Sequence, residues 1–247
     1  MKKNISLLVP SRGRLNLKLT LISSIVTTIQ NSNNIELVFG IDDDDDTKPI
    51  VQKIANNIPF IRIVDIHNNG KFIGINKIWN ILASTCNCEI YGYLGDDFQM
   101  MTPDWDIKIL EEFNNQNLPS DGIKLVHCYD GHRNGDLCTN AFIGKKYVEI
   151  IGYLCREEFL INYSDSWLYQ SFSAFNRIKY RPDITMHHNH WIYKDREIDK
   201  TAKRMLSDNH DKISDNLWKT LRPELHNDIK KLGKYLNIEP DWSKVDL

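Results

Sequence analysis

The chain has 247 residues, of which 41% are hydrophobic and 26% are charged, and its formal net charge is −2. These values are typical of a globular protein with one large α/β domain, or a domain with an appendage. A charge so close to neutral excludes a general attraction to nucleic acid or anionic membranes, so a nucleic-acid substrate would need a local basic patch. The apolar runs are too short to span a bilayer, and the five scattered cysteines favour a reduced, cytoplasmic compartment.

The first half of the chain alternates apolar strands with amphipathic helices. The strands are predicted at residues 5–9, 36–41, 61–66 and 89–94. Helices are predicted where apolar residues recur at helical spacing, from Leu15 to Ile29 and from Ile75 to Leu82. This order predicts a mostly parallel sheet covered by helices, and such sheets bind their ligands at the carboxyl ends of the strands.

A turn-rich stretch, residues 114–121, separates a less regular second half. Its predicted elements are a strand at residues 124–128, a polar loop at 130–136, helical pieces near 146–151 and 165–175, and a strand at 183–188. The last part is charged and helical, with one apolar face that we expect to pack on the body: Leu225, Ile229, Leu232 and Leu236. The predicted organisation is a core domain, residues 1–195, made of halves 1–115 and 116–195, followed by a helical extension, residues 196–247.

Asp96 and Asp97 follow directly after the fourth apolar strand. Two adjacent carboxylates repel each other, so a positive group is expected beside them. A divalent cation that also holds a diphosphate fits best, because hard cations prefer carboxylate oxygens and usually share them with phosphate. Two other strands also end in polar groups, namely Arg12 and Arg14 after the first and a block of aspartates, residues 42–46, after the second. Together these strand ends predict a nucleotide site at one edge of the sheet.

Two further features allow both a functional and a structural interpretation. Asp165 precedes an apolar helical pattern, which by itself favours a helix N-cap over a general base. His188 and His190 lie two residues apart and are expected on the same side of a strand, with His187 on the other side. One of the pair is a metal ligand or a diphosphate contact, with His190 preferred as the ligand, or both are polar residues at the end of a strand.

Several segments, in this order, resemble the GT-A nucleotide-sugar glycosyltransferases, in particular inverting enzymes of the family-two type and their phage and viral members. They are Leu8–Arg14, similar to the first strand and nucleotide loop; Tyr93–Asp97, similar to the DXD element; Lys146–Leu154 with Tyr163–Leu168, similar to the acceptor-side motif; and Tyr180–His190, similar to the late strand with its histidine. The resemblance covers most of residues 4–192 and implies a GT-A, Rossmann-like α/β fold: a mostly parallel sheet flanked by helices, with a helical C-terminal extension.

The resemblance and the residue types together assign roles. Asp165 is expected to be the general base and Asp97 the metal ligand, with His190 or His188 completing the metal site. The expected donor-binding residues are Pro10, Ser11, Arg12, Arg14, Asp42, Asp43, Lys71, Asn76 and Asp96. Asp44 to Asp46 are expected at the surface. Two positions depart from the family pattern: Gly95 stands at the first acidic position of the DXD element, and Ser164 replaces the usual Glu before Asp165.

The implied function is the metal-dependent, inverting transfer of a sugar from a nucleoside-diphosphate sugar, by family frequency a UDP-sugar, to an acceptor hydroxyl, with Mn²⁺ or Mg²⁺. The acceptor is either a glycan or a hydroxymethylated DNA base, and the loop at residues 130–136 is expected on its side. Two alternatives stay open: a nucleotidyltransferase that releases pyrophosphate, and a non-catalytic protein that binds sugar nucleotides, which Gly95 makes conceivable. The Pro10–Arg14 loop argues against nucleotidyl transfer, because it lacks a Gly-rich phosphate grip.

Overall fold

A mixed sheet forms the centre of the molecule in the computed structural model, which describes residues 4–115, 119–207 and 210–245. The strands are β1 Ile5–Ser11, β2 Ile35–Asp42, β3 Ile61–Ile66, β4 Ile90–Tyr93, β5 Phe98–Met100, β6 Leu125–Tyr129, β7 Ala141–Gly144 and β8 Ile178–His188. Their order in the sheet is β3-β2-β1-β4-β7-β6-β8-β5. The α-helices are α1 Leu15–Thr28, α2 Lys48–Ala55, α3 Ile75–Ser84, α4 Trp105–Phe113, α5 Lys145–Ile151, α6 Ser164–Ser173, α7 Lys200–Ser207, α8 His210–Thr220 and α9 Arg222–Leu236.

The first four strands pair with one another in parallel, as the sequence predicts. β1 pairs in parallel with β2 on one side and β4 on the other, and β2 pairs in parallel with β3. Every residue of β1 is buried, because helices cover both faces of a parallel sheet. The predicted helices over residues 15–29 and 75–82 form as α1 and α3. The carboxyl ends of β1, β2 and β4 therefore meet at one edge.

The second half adds antiparallel pairings. β7 lies between β4 and β6 and is antiparallel to both, whereas β6 and β8 are parallel. Short β5 pairs antiparallel with the end of β8, and this pairing sets Phe98 opposite His188. The turn that carries Asp96 and Asp97 is thereby held beside His188.

Helix α9 belongs to the core on one face of the sheet. Leu225, Ile229 and Leu232 are fully buried and share a hydrophobic cluster with Trp167 of α6. Asp228, on the same helix, accepts a hydrogen bond from the Trp167 indole at 3.3 Å. The apolar face predicted for the last helix is thus the face that packs on the body.

The predicted boundary between the halves adjoins residues 116–118, which lie outside the described residues, as do residues 1–3, 208–209 and 246–247. All five cysteines are free, and four of them are buried, so they act as packing residues. Among the helices that the structure describes, none combines the length and apolar character needed to cross a membrane.

Candidate functional site

A cavity of about 580 Å³ opens at the carboxyl ends of β1, β2 and β4, and this volume is in the usual range for small-molecule sites. Its wall contains most of the residues predicted from the sequence: Pro10, Ser11, Arg12, Arg14, Asp42, Asp96, Asp97, Asp165, His188 and His190. Residues that were not predicted complete it, among them Asn68, Trp79, Tyr93, Trp191 and Arg196. The polar strand ends converge as expected.

Asp96 is held by groups from the first strand and its loop. Its carboxylate accepts a hydrogen bond from the Ser11 hydroxyl at 2.6 Å and one from Arg14 at 3.0 Å. Burial raises the pKa of Asp96, the charge of Arg14 opposes this shift, and the neighbouring charge of Asp97 adds to it. This is the predicted arrangement of two repelling carboxylates beside a cation, although here the cation is a side chain.

Asp97 is the more strongly charged of the two carboxylates. His188 Nε2 lies 3.3 Å from Asp97 Oδ1, and Arg196 donates to Asp97 Oδ2 at 3.2 Å. Burial alone would raise the pKa of Asp97, but the His188 hydrogen bond and the nearby charges of His188, Arg14 and Arg196 outweigh burial and hold that pKa well below its usual range. Asp97 is therefore held as a carboxylate at neutral pH.

Gly95 gives the Asp97 carboxylate room to fold back against the chain. A Cβ atom at Gly95 would lie 2.7 Å from Asp97 Oδ1, the oxygen that faces His188. An acidic side chain at this first position would therefore compete with Asp97 for the same space. The glycine at the first position of the DXD pattern therefore determines where the Asp97 carboxylate lies.

A charged segment after β8 closes one side of the cavity and was not predicted. Arg196 donates to Asp199 at 2.6 Å as well as to Asp97, and Arg14 donates to the same Asp199 carboxylate at 2.8 Å. Thr201 donates to the backbone carbonyl of Arg12 at 3.0 Å. In the sequence this segment has only the charged pattern of a solvated helix, and nothing local shows that it turns back on the first loop.

The three histidines point to two different places. The rings of His188 and His190 lie 4.8 Å apart and both line the cavity, whereas the ring of His187 lies 5.2 Å from that of His132. His190 Nδ1 accepts a hydrogen bond from the Ile192 N–H at 3.3 Å. Burial lowers the pKa of His190 to about 4, with the charge of His188 adding to the shift, so His190 is a neutral imidazole at neutral pH.

Asp42, at the end of β2, is the member of the aspartate block that lines the cavity. Arg12 donates to it at 2.5 Å and to Asp44 at 2.8 Å. Burial raises the pKa of Asp42, and the contact with Arg12 opposes that shift. Arg12 is therefore an anchor for acidic neighbours as well as part of the cavity wall.

Asp45 corrects the expectation that residues 44–46 lie at the surface. Its side chain and that of Lys18 are both 0% exposed, with Lys18 Nζ 3.1 Å from Asp45 Oδ2. The same carboxylate accepts the backbone N–H of Gly13 at 2.8 Å. Asp45 is buried because it ties the loop after β1 to the loop after β2, which a run of identical residues cannot reveal.

Three of the predicted donor-binding residues lie outside the cavity wall. Asp43 and Lys71 are exposed, and Asp43 lies 3.4 Å from His67. Asn76 is fully buried and donates from its amide to the backbone carbonyl of Arg156 at 3.0 Å. Asn76 therefore joins α3 to the loop that precedes α6, a structural contact.

Asp165 lies where two cavities meet. It lines the main cavity and also a second recess of about 270 Å³, whose wall is formed by Tyr93, Ile161, Asn162, Tyr163, Asp165 and Ser166. Asp165 borders both spaces, but the surrounding protein raises the pKa of its carboxyl by desolvation, and the backbone N–H of Ser166 opposes this shift. A carboxylate in this position can take a proton from a group in the recess and face a molecule in the main cavity.

The local structure places Asp165 inside helix α6 and not at its N-cap. Helix α6 begins at Ser164, and its N-cap residue is Tyr163, which makes no side-chain capping bond. Asp165 lies in the first turn and accepts from the N–H of Ser166 at 2.8 Å. Its carboxylate thus benefits from the helix dipole, but it is not the N-cap.

The side chains around Asp97 have the chemistry of a divalent cation site. Metal ligands must be deprotonated, and Asp97 is held as a carboxylate while His190 is held neutral. Arg14 and Arg196 already neutralise part of the charge of Asp97. The Asp97 carboxylate suits a hard cation such as Mn²⁺ or Mg²⁺, and a bound ion would share Asp97 with these two arginines.

Comparison with known proteins yields similar structures but no matching family model and no matching curated protein. The mannosyltransferase PcManGT from Pyrobaculum calidifontis, solved with GDP-Man and Mn²⁺, has a TM-score of 0.63 at 14% identity, with 94% of this chain and 70% of that chain covered. TarS of S. aureus, residues 1–349 with UDP, has a TM-score of 0.59 at 13% identity, with 74% and 59% covered. GalNAc-T7, solved with UDP, GalNAc and Mn²⁺, has a TM-score of 0.59 at 9% identity, with 76% and 44% covered.

These similarities establish the fold. The chain has the mixed α/β GT-A fold of nucleotide-sugar glycosyltransferases, as its sequence predicts. It spans 59% of the length of the TarS fragment. A shared fold at such low identity leaves the activity to be argued from the site itself.

Proposed function

We propose that this protein is a glycosyltransferase that moves a sugar from a nucleoside-diphosphate sugar to an acceptor hydroxyl. The observation that supports this most directly is the position of Asp165, which lines both the main cavity and the adjoining recess. The main cavity takes the donor and the recess takes the acceptor. The base therefore lies between the two substrates, as a direct displacement requires.

The donor is bound by its two ends. The strand ends that carry Asp42 and Asn68 hold the nucleoside, with carboxylate and amide groups as hydrogen-bond partners. Arg14 and Arg196 lie on the diphosphate side and supply fixed positive charge to the leaving group. We propose a UDP-sugar; the similar proteins were solved with UDP or with GDP-Man, so a guanine nucleotide is the natural comparison.

In the proposed reaction Asp165 accepts the proton of the acceptor hydroxyl. The oxygen attacks the anomeric carbon from the face opposite the diphosphate, the bond from that carbon to the diphosphate oxygen breaks, and the configuration inverts. Asp97, with His190 or His188, would hold Mn²⁺ or Mg²⁺, which when bound supplies charge neutralisation for the departing diphosphate. Arg14 and Arg196 add to this neutralisation and keep the leaving group oriented.

The acceptor is a glycan or a hydroxymethylated DNA base. The near-neutral net charge of the chain argues against a long nucleic-acid footprint. Arg133, in the loop on the acceptor side, donates to Asp136 at 2.8 Å, so its charge is already compensated. A small acceptor, a sugar or a single flipped base, is what the recess of about 270 Å³ accommodates.

The test is the isosteric substitution Asp165→Asn, measured with the donor that the protein binds. We expect release of nucleoside diphosphate, to an acceptor or to water, to fall at least about 100-fold, the usual scale for loss of a general base, while the dissociation constant of the donor stays within about threefold. Asp183→Asn is the control, because this carboxylate is 53% exposed and lines neither cavity. Full activity of the Asp165→Asn variant removes Asp165 from the mechanism.

A further inference from the structure

We propose a second metal site, separate from the donor cavity, formed by His132, His187 and Asp195. These side chains come from three segments: the loop after β6, strand β8 and the segment after the short helix Trp191–Tyr193. One ligand atom from each lies within 4.8 Å of the other two. Asp195 is exposed and the two histidines are partly buried, so an ion can enter from solvent.

The distances suit a transition metal. Asp195 Oδ2 lies 2.8 Å from His132 Nε2 and 3.7 Å from His187 Nε2. Two ligands of a tetrahedral zinc ion, each about 2.1 Å from it, are about 3.4 Å apart. The two distances lie on either side of that value, so small side-chain rotations bring the three ligands into place. Two imidazoles and one carboxylate, with water in the fourth position, favour Zn²⁺ over Mn²⁺ or Mg²⁺.

Hydrogen bonds to the loop backbone and a stacked ring hold His132 in place. Asp130, 2% exposed, accepts the backbone N–H groups of His132 and Arg133 at 2.9 and 2.7 Å. The Tyr193 ring stacks on the His132 ring with centroids 3.8 Å apart. Both contacts limit the motion of the imidazole, as the supporting groups of a metal ligand do.

The position of His187 depends on Gly131, which has no side chain. A Cβ atom at Gly131 would lie 2.2 Å from His187 Nδ1, and Gly131 has φ +93°, a conformation that favours glycine. Only glycine at this position allows the loop to approach His187 so closely. The loop and the strand thus bring their two imidazoles to the same carboxylate.

The site has a structural consequence for the donor cavity. Asp195 is followed by Arg196, which donates to Asp97 at 3.2 Å. An ion on His132, His187 and Asp195 would tie the segment that carries Arg196 to the loop at residues 130–136. The proposed metal ion is therefore a structural ion that stabilises the wall of the donor cavity. It takes no part in the bond changes of sugar transfer.

The experiment is zinc binding by the full chain in the Asp97→Asn background, which removes the main ligand of the donor-side site. Metal-free protein is dialysed against Zn²⁺, bound metal is counted, and the thermal midpoint is measured with and without Zn²⁺, since an ion that binds the native state raises it. We expect one equivalent of bound zinc and a raised midpoint. Adding His132→Ala or His187→Ala should weaken binding at least tenfold and abolish the rise in the midpoint.

The control is His67→Ala in the same background. His67 also lies near a carboxylate, with Nδ1 3.4 Å from Asp43, but its side chain is 77% exposed and it does not belong to the cluster. This variant should keep the bound zinc. Asp195→Asn, which preserves shape, replaces either histidine variant that fails to fold. Absence of zinc in the Asp97→Asn protein, or equal zinc binding after loss of His132, His187 or Asp195, overturns the proposal.

Discussion

Asp97 owes its position to a residue that has no side chain. Because Gly95 lacks a Cβ, the Asp97 carboxylate folds back to within reach of His188 and Arg196. The sequence marks Gly95 only as the missing first acid of a DXD element. In the structure it sets the geometry of the acid that remains.

Gly95→Ala should therefore disturb the metal-side contacts. The added methyl group, 2.7 Å from Asp97 Oδ1, forces the carboxylate away from His188. We expect donor binding in the presence of Mn²⁺ to weaken about tenfold, measured by isothermal titration with the bound nucleotide sugar, while the thermal midpoint of the free protein changes little. Donor affinity equal to that of the unmodified protein would show that the position of Asp97 does not matter.

Asp165 should give the acid limb of the pH profile of kcat/KM. The base is active only when ionised, and burial raises its pKa above the ordinary value, about 3.9 for an aspartate. Activity should thus fall on acidification at a pH higher than that expected for an exposed carboxyl. A profile that stays flat down to pH 4 would contradict this role.

The raised pKa of Asp165 also predicts that ionisation of this carboxyl, which catalysis requires, lowers the stability of the fold. A carboxyl whose folded pKa is raised contributes stability below its unfolded pKa, and this contribution is lost as the pH rises through the folded pKa. Asp165→Asn should therefore raise the thermal midpoint relative to the unmodified protein at pH 7 to 8, and the difference should shrink towards pH 4. Melting curves across this range measure it, and an Asp165→Asn midpoint below that of the unmodified protein at pH 8 would be the opposite result.

At the scale of elements, the long apolar patterns were predictable and the short ones were not. Strand β1 and helix α3 have repeated apolar residues that fix their type and buried face. Strand β7 has four residues and β5 has three, too few to show a period. Helix α2 buries only Val51 and Ala55. Strands β5 and β7 are held by pairing with β8 and β4, which are distant in the sequence.

Some residues of the candidate site were likewise predictable from the sequence, and others were not. The aspartates that follow β2 and β4 were predictable, because strand ends are visible as the end of an apolar run. Arg196 was not, since it reaches Asp97 only after β8 and the following short helix turn the chain back, 99 residues along the sequence. Asp45 and Asp43 are identical in type, and the contacts of Asp45 with the buried Lys18 and the Gly13 N–H distinguish them.

Helix α1 is joined to the loop after β2 by the buried Lys18–Asp45 pair. Burial alone would raise the pKa of Asp45, but the hydrogen bonds from Thr47, the charge of Lys18 and the Gly13 N–H lower it. Because the folded pKa is depressed, the carboxylate contributes stability above its unfolded pKa, and this contribution is lost as the pH falls through the folded pKa.

Lys18→Met should destabilise the protein by about 3–5 kcal/mol at pH 7, because it leaves a buried charge without its partner. Urea unfolding measures the change. Lys48→Met, which removes a pair with the half-exposed Asp65, is the control and should cost less than about 1 kcal/mol. Equal effects of the two substitutions would mean that the buried pair is not a special contact.

At the scale of the whole molecule, α9 completes the core instead of forming a separate unit. Its buried residues pack in the cluster that contains Trp167, two residues after Asp165 on α6. Leu232→Ala should therefore lower the free energy of unfolding by about 2–5 kcal/mol, the range for a buried leucine, in a single transition. Ile238→Ala, at a position 43% exposed, should change it little. Two separate unfolding transitions would show that α9 is independent of the core.

The central claim is that the main cavity binds a nucleoside-diphosphate sugar through Asp97 and its cation. The most direct measurement is a thermal-shift panel of nucleoside diphosphates, their sugars and nucleoside triphosphates, each with and without Mn²⁺, on the unmodified protein and on Asp97→Asn. We expect a rise of the midpoint with UDP and a UDP-sugar that requires Mn²⁺ and is lost in Asp97→Asn. A response to nucleoside triphosphates alone, or to none of these compounds, would contradict the claim.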